Sequence, residues 1–558
     1  MSRRLVLPQH DMENSEERKL YLIKMRKMYS YTLTYDGEIA TINKLPDREK
    51  RTLGYNITLL ANMARTITSL PSLAYKFIKF KLLKLDYKKF NQYFFFKNAS
   101  FPNPELRENF LDNKYLGYQR VAGMNPVVIE GIKSASDIPD TMKLDPSMIG
   151  MSEDEFAEAV ADNRLFKTDY SMLKPLMDNP GEEAGLRKYV SPAIALYLLE
   201  PDGLLKAVAV QFDVTRDTDY DNPIVTPEDD RWYAARTYIQ AADGTHHELW
   251  THATRIHYVM ESIIMGTYRN LAENHPLLAL LKPHLAFTLS VNVNPLFEPE
   301  LDGTIPSFGK MFACDNPTLV KFMGEGMNNF SFKEFELPRD IERRQVENPA
   351  LEYPYRDDGM LWWDEMQRFA KAYLSIYYQN DNEVKADFEL QAWAAALGGS
   401  KKCNNFGLVD FPTSFDTVDE LAKIAGQILF ISTAHHSSIH YAQYECAGYP
   451  PNMPFSAYES PMTNPEEYKT EKGKVKFLPR WDMAWEQAFI FFLTNFRVNS
   501  VGDYDEFNGQ FDEEAIAVFR EHHKHISAIG EEIDRRNEAR KFPYYYMHPK
   551  NVPNSVTV

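Results

Sequence analysis

The chain has 558 residues, 44% hydrophobic and 13% aromatic, and its 79 acidic against 62 basic side chains give a formal charge of −17. That balance describes a globular protein with a large core and excludes a general nucleic-acid binder. Three widely spaced cysteines, Cys314, Cys403 and Cys446, form no CxxC pair, which excludes a disulfide framework and a thiolate zinc site and suits a reducing compartment. The apolar run Leu5 to Pro8 is too short for a signal peptide, and no stretch approaches the roughly 18 apolar residues of a membrane span, so a cytoplasmic location is expected. No heptad seam demands a partner, and a monomer is expected.

Residues 15–35 and 45–95 are rich in Leu, Lys, Met and aromatics with few breakers, which predicts helices joined through a turn at Asp36-Gly37. Within them, residues 75–96 set six lysines among apolar and aromatic side chains of an otherwise acidic protein. That composition suits a membrane surface; the plainer alternative is a core-packed helix with solvated lysines. Residues 102–190 read as connecting structure, partly helical, with a capping box at Ser152 and Glu155. Two apolar runs around Pro201-Asp202-Gly203 form the clearest strand pair. Proline-rich residues 292–317 read as a loop and as a wall of a substrate channel. Helical patterns return at 361–380, 384–397, 417–441, 481–495 and 512–540. His522, His523 and His525 on the last of these read as solvated histidines.

The segment that organises the chain places histidines at 247, 252, 257, 275 and 284. Its first three fall five apart, a spacing that leaves successive side chains about 140° out of line on an α-helix. A local π-turn would bring His252 and His257 onto one face, and such bulges concentrate at functional sites. Near residue 440, His436 and His440 are four apart and share a face without distortion. Two facing helices then supply four imidazoles. Eight of the fourteen histidines lie in these two segments, which makes satisfied core histidines a poor account of all of them. His435 points about 100° away from His436, off the face of the pair. The HExxH spacing of zinc proteases is absent, because Thr251 stands four residues after His247. An imidazole-rich set suits iron, manganese and other borderline metals.

The intervals His247, four residues, His252, four, His257, seventeen, His275, eight, His284 resemble the signature of lipoxygenases, the non-haem iron dioxygenases of polyunsaturated fatty acids. The resemblance extends through GYQRVAGMNP at 117–126, NRLFKTDY at 163–170, DFELQAW at 387–393, HSSIHYAQY at 436–444 and the terminal PNSVTV. It implies a mainly α fold: a large helical catalytic domain over 111–558, with a long central π-distorted metal-binding helix and a minor β-hairpin region. Many members carry an N-terminal β-sandwich lipid-binding domain; residues 1–110 here read as a helical extension instead.

The resemblance further implies one iron per chain, with manganese the alternative, held by His252, His257, His436, His440 and the main-chain carboxylate of Val558. Isoleucine is the usual last residue; valine is a conservative departure, since an α-carboxyl with a pKa of about 3.5 is ionised at neutral pH whatever its side chain. At the position of His440 the family accepts asparagine, serine or histidine. Gln443 and Glu248 fall where members have polar residues that orient the ligands, and His275 and His284 belong to the signature as structural hydrogen bonders. In an ungapped register the small residue that controls oxygenation stereochemistry falls at Pro295, a departure from the family pattern.

The implied reaction uses dioxygen and a cis,cis-1,4-diene fatty acid. A metal-bound hydroxide removes hydrogen from the doubly allylic carbon, oxygen adds to the radical, and a conjugated-diene hydroperoxide leaves, with no other cofactor and no catalytic side chain beyond that hydroxide. Two further readings use the same residues: an isomerase of fatty-acid hydroperoxides, and a non-catalytic lipid-binding protein with a structural metal.

Overall fold

The computed structural model describes residues 4–34, 39–96, 109–183, 186–293, 308–399, 407–504 and 511–558. The first helix, α1 (Ser15–Met28), ends earlier than its composition suggests. Residues Tyr31–Thr34 (β1) and Ile39–Ile42 (β2) pair antiparallel, Tyr31 opposite Ile42, so the helix expected to reach residue 35 is corrected to a helix followed by a hairpin. YTLT and IATI are β-branched and aromatic, types that lose side-chain freedom on a helix and fit a pleated strand. The Asp36-Gly37 turn lies outside the described residues. Helices α2 (Leu53–Ala64) and α3 (Leu70–Lys76) follow, and α3 runs into a π-turn at Phe77–Leu82.

These N-terminal elements share the main core. Leu5, Met25, Ile39 and Phe80 belong to one apolar cluster that continues to Val556. The buried Arg18 guanidinium spans Glu389 at 2.8 Å, Asp11 at 2.9 Å and Asn274 at 2.7 Å. A buried charge tolerates that position only when every donor is answered.

A small antiparallel sheet covers one side of the helices, in the order β3 (Glu130–Gly131), β4 (Leu165–Asp169), β5 (Ile194–Leu199), β6 (Leu205–Gln211) and β7 (Ile224–Val225). The expected strand pair is β5–β6, with Ile194 opposite Gln211. Its turn places Gly203 at φ +82°, a conformation that a side chain would strain. The Ser152 capping box is present, Ser152 Oγ accepting from Glu155 N at 3.3 Å.

The axis of the molecule is a continuous helical run: α4 (Trp232–His246), a π-helical segment (His247–Tyr258) and α5 (Val259–Asn270). Every residue of α4 is buried, and its polar side chains are answered there: Arg236 by Asp112 O, Gln240 by Asn452 O and Asp243 by Arg120. Around it stand α6 (Pro276–Leu285), α7 (Pro354–Tyr377), α8 (Val418–Phe430), a π-turn (Ile431–His435), α9 (His436–His440), α10 (Trp481–Thr494) and α11 (Glu513–Ala539). The pattern at 384–397 is two helices broken at Asp387. That carboxylate accepts from Leu390 N at 2.9 Å, Tyr378 Oη at 2.7 Å and His275 Nε2 at 3.0 Å. Among the described residues no helix is long and apolar enough to cross a membrane.

One histidine on α11 corrects the sequence reading. His522 is not solvated: it is fully buried, bonded to Glu365, and its ring stacks on Phe369 with centroids 3.9 Å apart. It lies on the helix's inner stripe with Phe519, Ile526 and Ile529, while His525 is half-buried at the edge of that stripe and reaches the other oxygen of Glu365 at 3.3 Å.

The last residues turn inward. His284 Nδ1 donates to Asn554 O at 2.7 Å while its Nε2 accepts from Tyr504 Oη at 2.7 Å. Thr288 Oγ1 donates to Val556 O at 3.1 Å and Tyr55 Oη to Thr557 O at 2.9 Å. Burial pushes His284 down to about 3. Below its ordinary value of about 6.5 the unfolded chain takes a proton that the folded chain refuses, so this stability is complete above pH 6.5 and is lost as pH falls toward 3. The expected loss is about 1.4 kcal/mol per pH unit inside that window. Thermal unfolding of the wild type and His284→Gln across pH 7 to 4 checks it: the variant should show the shallower slope, whatever its absolute stability.

Candidate metal centre

The five-residue histidine spacing finds its explanation in the backbone. The segment from His247 to Tyr258 is π-helical, which brings His252 and His257 together with their Nε2 atoms 3.1 Å apart. The pair on α9 needs no such adjustment, although a π-turn immediately precedes it. His252, His436 and His440 each offer one ring nitrogen, all within 4.8 Å of one another and all buried.

What each ring presents to the shared space follows from the group on its far side. His252 Nδ1 lies 3.1 Å from Glu248 Oε1, and an ionised carboxylate only accepts, so the proton sits on Nδ1 and the Nε2 lone pair faces inward. Gln443 Nε2 donates to the other oxygen of Glu248 at 2.6 Å and lies 3.1 Å from the same ring nitrogen. Burial raises the Glu248 carboxyl, but the rings of His252 and His247 outweigh it and hold the group well below the usual carboxylate range.

His257 is held by Asn292. The amide nitrogen of Asn292 donates to Glu261 Oε2 at 2.6 Å and to His257 O at 3.1 Å, which fixes its oxygen toward His257 Nδ1 at 2.9 Å. Glu261 in turn accepts from Ile42 N of β2 at 2.7 Å, and burial pushes its carboxyl up to about 7. His440 Nε2 donates to Thr494 O at 3.0 Å, leaving Nδ1 as the lone pair, 3.3 Å from His252 Nε2. Three acceptor nitrogens therefore converge at 3.1 to 3.3 Å with no proton between them.

Nitrogens so arranged repel one another unless a cation lies between them. Metal–imidazole bonds of about 2.1 Å at right angles set neighbouring nitrogens about 3.0 Å apart, close to the spacing found. His436 supplies an independent indication: it is fully buried, and among the described residues neither ring nitrogen has a hydrogen-bond partner. A buried polar group left in that state costs about 1 to 3 kcal/mol unless something answers it. Burial, reinforced by neighbouring imidazoles, holds His436 and His440 well below their ordinary value and His257 at about 3, so these rings stay neutral and able to ligate. The residues present fit a metal ion.

The cluster opens onto a cavity of about 200 Å³. Its walls are mainly apolar: Leu59 and Met63 of α2, Val291, and Ile490, Leu493 and Phe496. Val558 lines the same cavity and packs with Tyr55, Tyr441 and Phe496. The proline-rich stretch expected as a channel wall lies outside the described residues from 294 to 307, Pro295 included; α2 and residues 490–496 supply the described wall. His435 bonds Tyr355 Oη at 2.9 Å, away from the cluster. His247 Nδ1 stands 3.2 Å from Glu248, and His275 and His284 make the structural bonds given above. Sequence reasoning missed Asn292, Glu261 and the Thr494 carbonyl. An asparagine 35 residues from its partner and a main-chain oxygen carry no pattern.

Fold and site together define a helical protein able to hold a non-haem metal ion in a mainly imidazole cage. The lipoxygenase family profile matches residues 73–550, and the chain belongs to that family. It is 29% identical over 486 residues to a linoleate 9/13-lipoxygenase of Pseudomonas aeruginosa, which covers 82% of this chain and 68% of the relative. An allene oxide synthase-lipoxygenase protein of Plexaura homomalla is 25% identical over 484 residues, 82% of this chain and 44% of the relative. The hydroperoxide isomerase ALOXE3 of Mus musculus is 28% identical over 480 residues, 83% and 65% respectively. The chain thus spans about two thirds or less of the length of these relatives. The crystal structure of coral 8R-lipoxygenase superposes with a TM-score of 0.88 at 22% identity, over all of this chain and 83% of that one.

Removing Asn292 tests how the ligands are aimed. Asn292→Ala frees the His257 ring and should lower metal affinity about 10- to 100-fold in chelator competition. An unchanged affinity would mean that His257 is not held for a metal.

Proposed function

We propose that this protein is an iron-dependent fatty-acid dioxygenase that converts a cis,cis-1,4-diene acid into a conjugated-diene hydroperoxide. The observation that carries the reading is the convergence of unprotonated imidazole nitrogens at one end of a narrow apolar cavity. His252, His257, His436, His440 and the Val558 carboxylate are the proposed ligands, an N/O set that manganese would also accept. Iron held there would supply one-electron redox chemistry, by which the hydrogen removed from the doubly allylic carbon as proton and electron is returned to the peroxyl oxygen, so that acid and dioxygen together balance as the hydroperoxide.

The remaining work falls to the chain's own residues. Val291, Ile490, Leu493 and Phe496 grip the hydrocarbon so that one methylene faces the cluster, and they keep water from the carbon radical until dioxygen adds. Glu248, itself held by a bond from Gln443, fixes the proton on His252 Nδ1, Asn292 fixes it on His257 Nδ1, and Thr494 fixes it on His440 Nε2. Among the described residues lining the cavity, Arg51 is the one cation; its guanidinium lies 5.0 Å from the Tyr55 ring centroid. It answers the carboxylate of a fatty acid that enters methyl end first.

Oxygen uptake and conjugated-diene absorbance, recorded together on adding linoleic acid to metal-quantified protein, test the reading. Matched changes in iron-loaded protein are expected, and neither signal at full iron content would sink it. Similarity to a hydroperoxide isomerase and to a linoleate lipoxygenase is nearly equal, so a preformed linoleate hydroperoxide belongs in the same experiment. Its consumption without oxygen uptake would identify the isomerase. Arg51→Leu should raise KM for the free acid about tenfold with kcat within about twofold.

A further inference from the structure

Helix α2 is apolar on two opposite sides. Tyr55, Leu59 and Asn62 face inward: Tyr55 and Leu59 line the metal cavity, and Asn62 Nδ2 donates to Phe492 O and Leu493 O at 3.0 Å. Leu53, Ile57 and Leu60, at spacings of four and three, form a stripe on the other side and are 77%, 57% and 62% exposed. The stripe does not stop there. Ile67, Leu70, Tyr75, Phe77, Ile78, Leu82, Leu83 and Leu85 stand exposed beyond it. Twelve of the 22 large apolar side chains exposed among the described residues fall between Leu53 and Leu85, so these form a patch and not a scatter.

Charge identifies what covers that patch. From residue 50 to 85 the sequence holds seven lysines and arginines and no aspartate or glutamate, in a chain of net charge −17. Lys81 and Lys84 are exposed, Lys81 with its ammonium 5.0 Å from the Phe77 ring centroid, and Lys88 and Lys89 stand exposed just beyond Asp86. A second copy of this chain seated on the patch would set lysines against lysines. An anionic lipid surface answers both features, taking the apolar side chains below the headgroups and the lysines among them. The acidic remainder of the molecule is repelled by the same surface, which fixes the orientation.

We propose that α2, α3 and the π-turn after them form a docking face for anionic lipid bilayers, with α2 lying between bilayer and metal cavity. The binding stands on exposure and charge alone; its use, delivery of a fatty acid past Tyr55 and Leu59, rests on the dioxygenase reading. The face is centred further upstream than the lysine-rich segment by itself would place it, because the most exposed apolar side chain of the patch, Leu53, begins α2.

Vesicle co-sedimentation of the full chain tests the proposal without turnover. Dioleoyl vesicles carry no 1,4-diene, so failure of the docking face and failure of the dioxygenase reading are read separately. Binding is expected to vesicles with 30% phosphatidylserine and to weaken with salt and on phosphatidylcholine alone. Ile57→Ser with Leu60→Ser should weaken it at least about tenfold, because two apolar side chains no longer enter the lipid. Lys81→Gln with Lys84→Gln should weaken it about 25-fold, near fivefold per lysine. These side chains are exposed, so circular dichroism should not change. Absence of binding by the wild type overturns the proposal. So does equal binding by all variants, or a dimer dissolved by Ile57→Ser with Leu60→Ser in a protein that ignores vesicles.

Discussion

Everything near the centre of this molecule depends on keeping a group of buried imidazoles neutral and aimed at one point. Neutrality comes from burial, which drives His257 to about 3 and His436 and His440 well below their ordinary value. For His252, His257 and His440, aim comes from a different acceptor behind each ring: a carboxylate, a side-chain amide and a main-chain carbonyl. The π-helical segment is the backbone cost of the arrangement. Without it, His252 and His257, five residues apart, could not face one another.

The acceptors explain why distant parts of the chain pack as they do. Asn292 keeps its orientation because Glu261 takes one of its protons, and Glu261 is answered in turn by Ile42 of the N-terminal hairpin. A strand near the start of the chain is thus two hydrogen-bonded residues away from a ring in the metal cluster. Arg18, locked between Asp11, Asn274 and Glu389, fastens α1 to the core beside that strand. The N-terminal residues therefore help to build the site.

Much of this was legible in the sequence, because period and spacing are local properties. The five-residue spacing announced the π-turn, the four-residue spacing of His436 and His440 needed no help, and Pro201-Asp202-Gly203 announced the β5–β6 turn. Glu248 and Gln443 were reached through family resemblance, and they do meet at His252. What stayed hidden was non-local. Nothing around Asn292 or Thr494 marks a partner far away along the chain. The β1–β2 strands were concealed by helix-forming neighbours, and His522 was concealed by charged ones, although its inner stripe of Phe519 and Ile526 decided its burial.

The bond from Tyr55 to the Thr557 carbonyl joins positions 502 residues apart. Contacts at such separation are the slowest to form, and a chain made from its N-terminus folds its early elements first. During synthesis α2 therefore waits with its inner face uncovered until almost the whole sequence has emerged. The histidine helices can assemble a core before then, but the cavity gains its last wall only when the two remote segments meet. Assembly of this protein thus has a natural order, in which the reactive pocket is closed after the body that supports it.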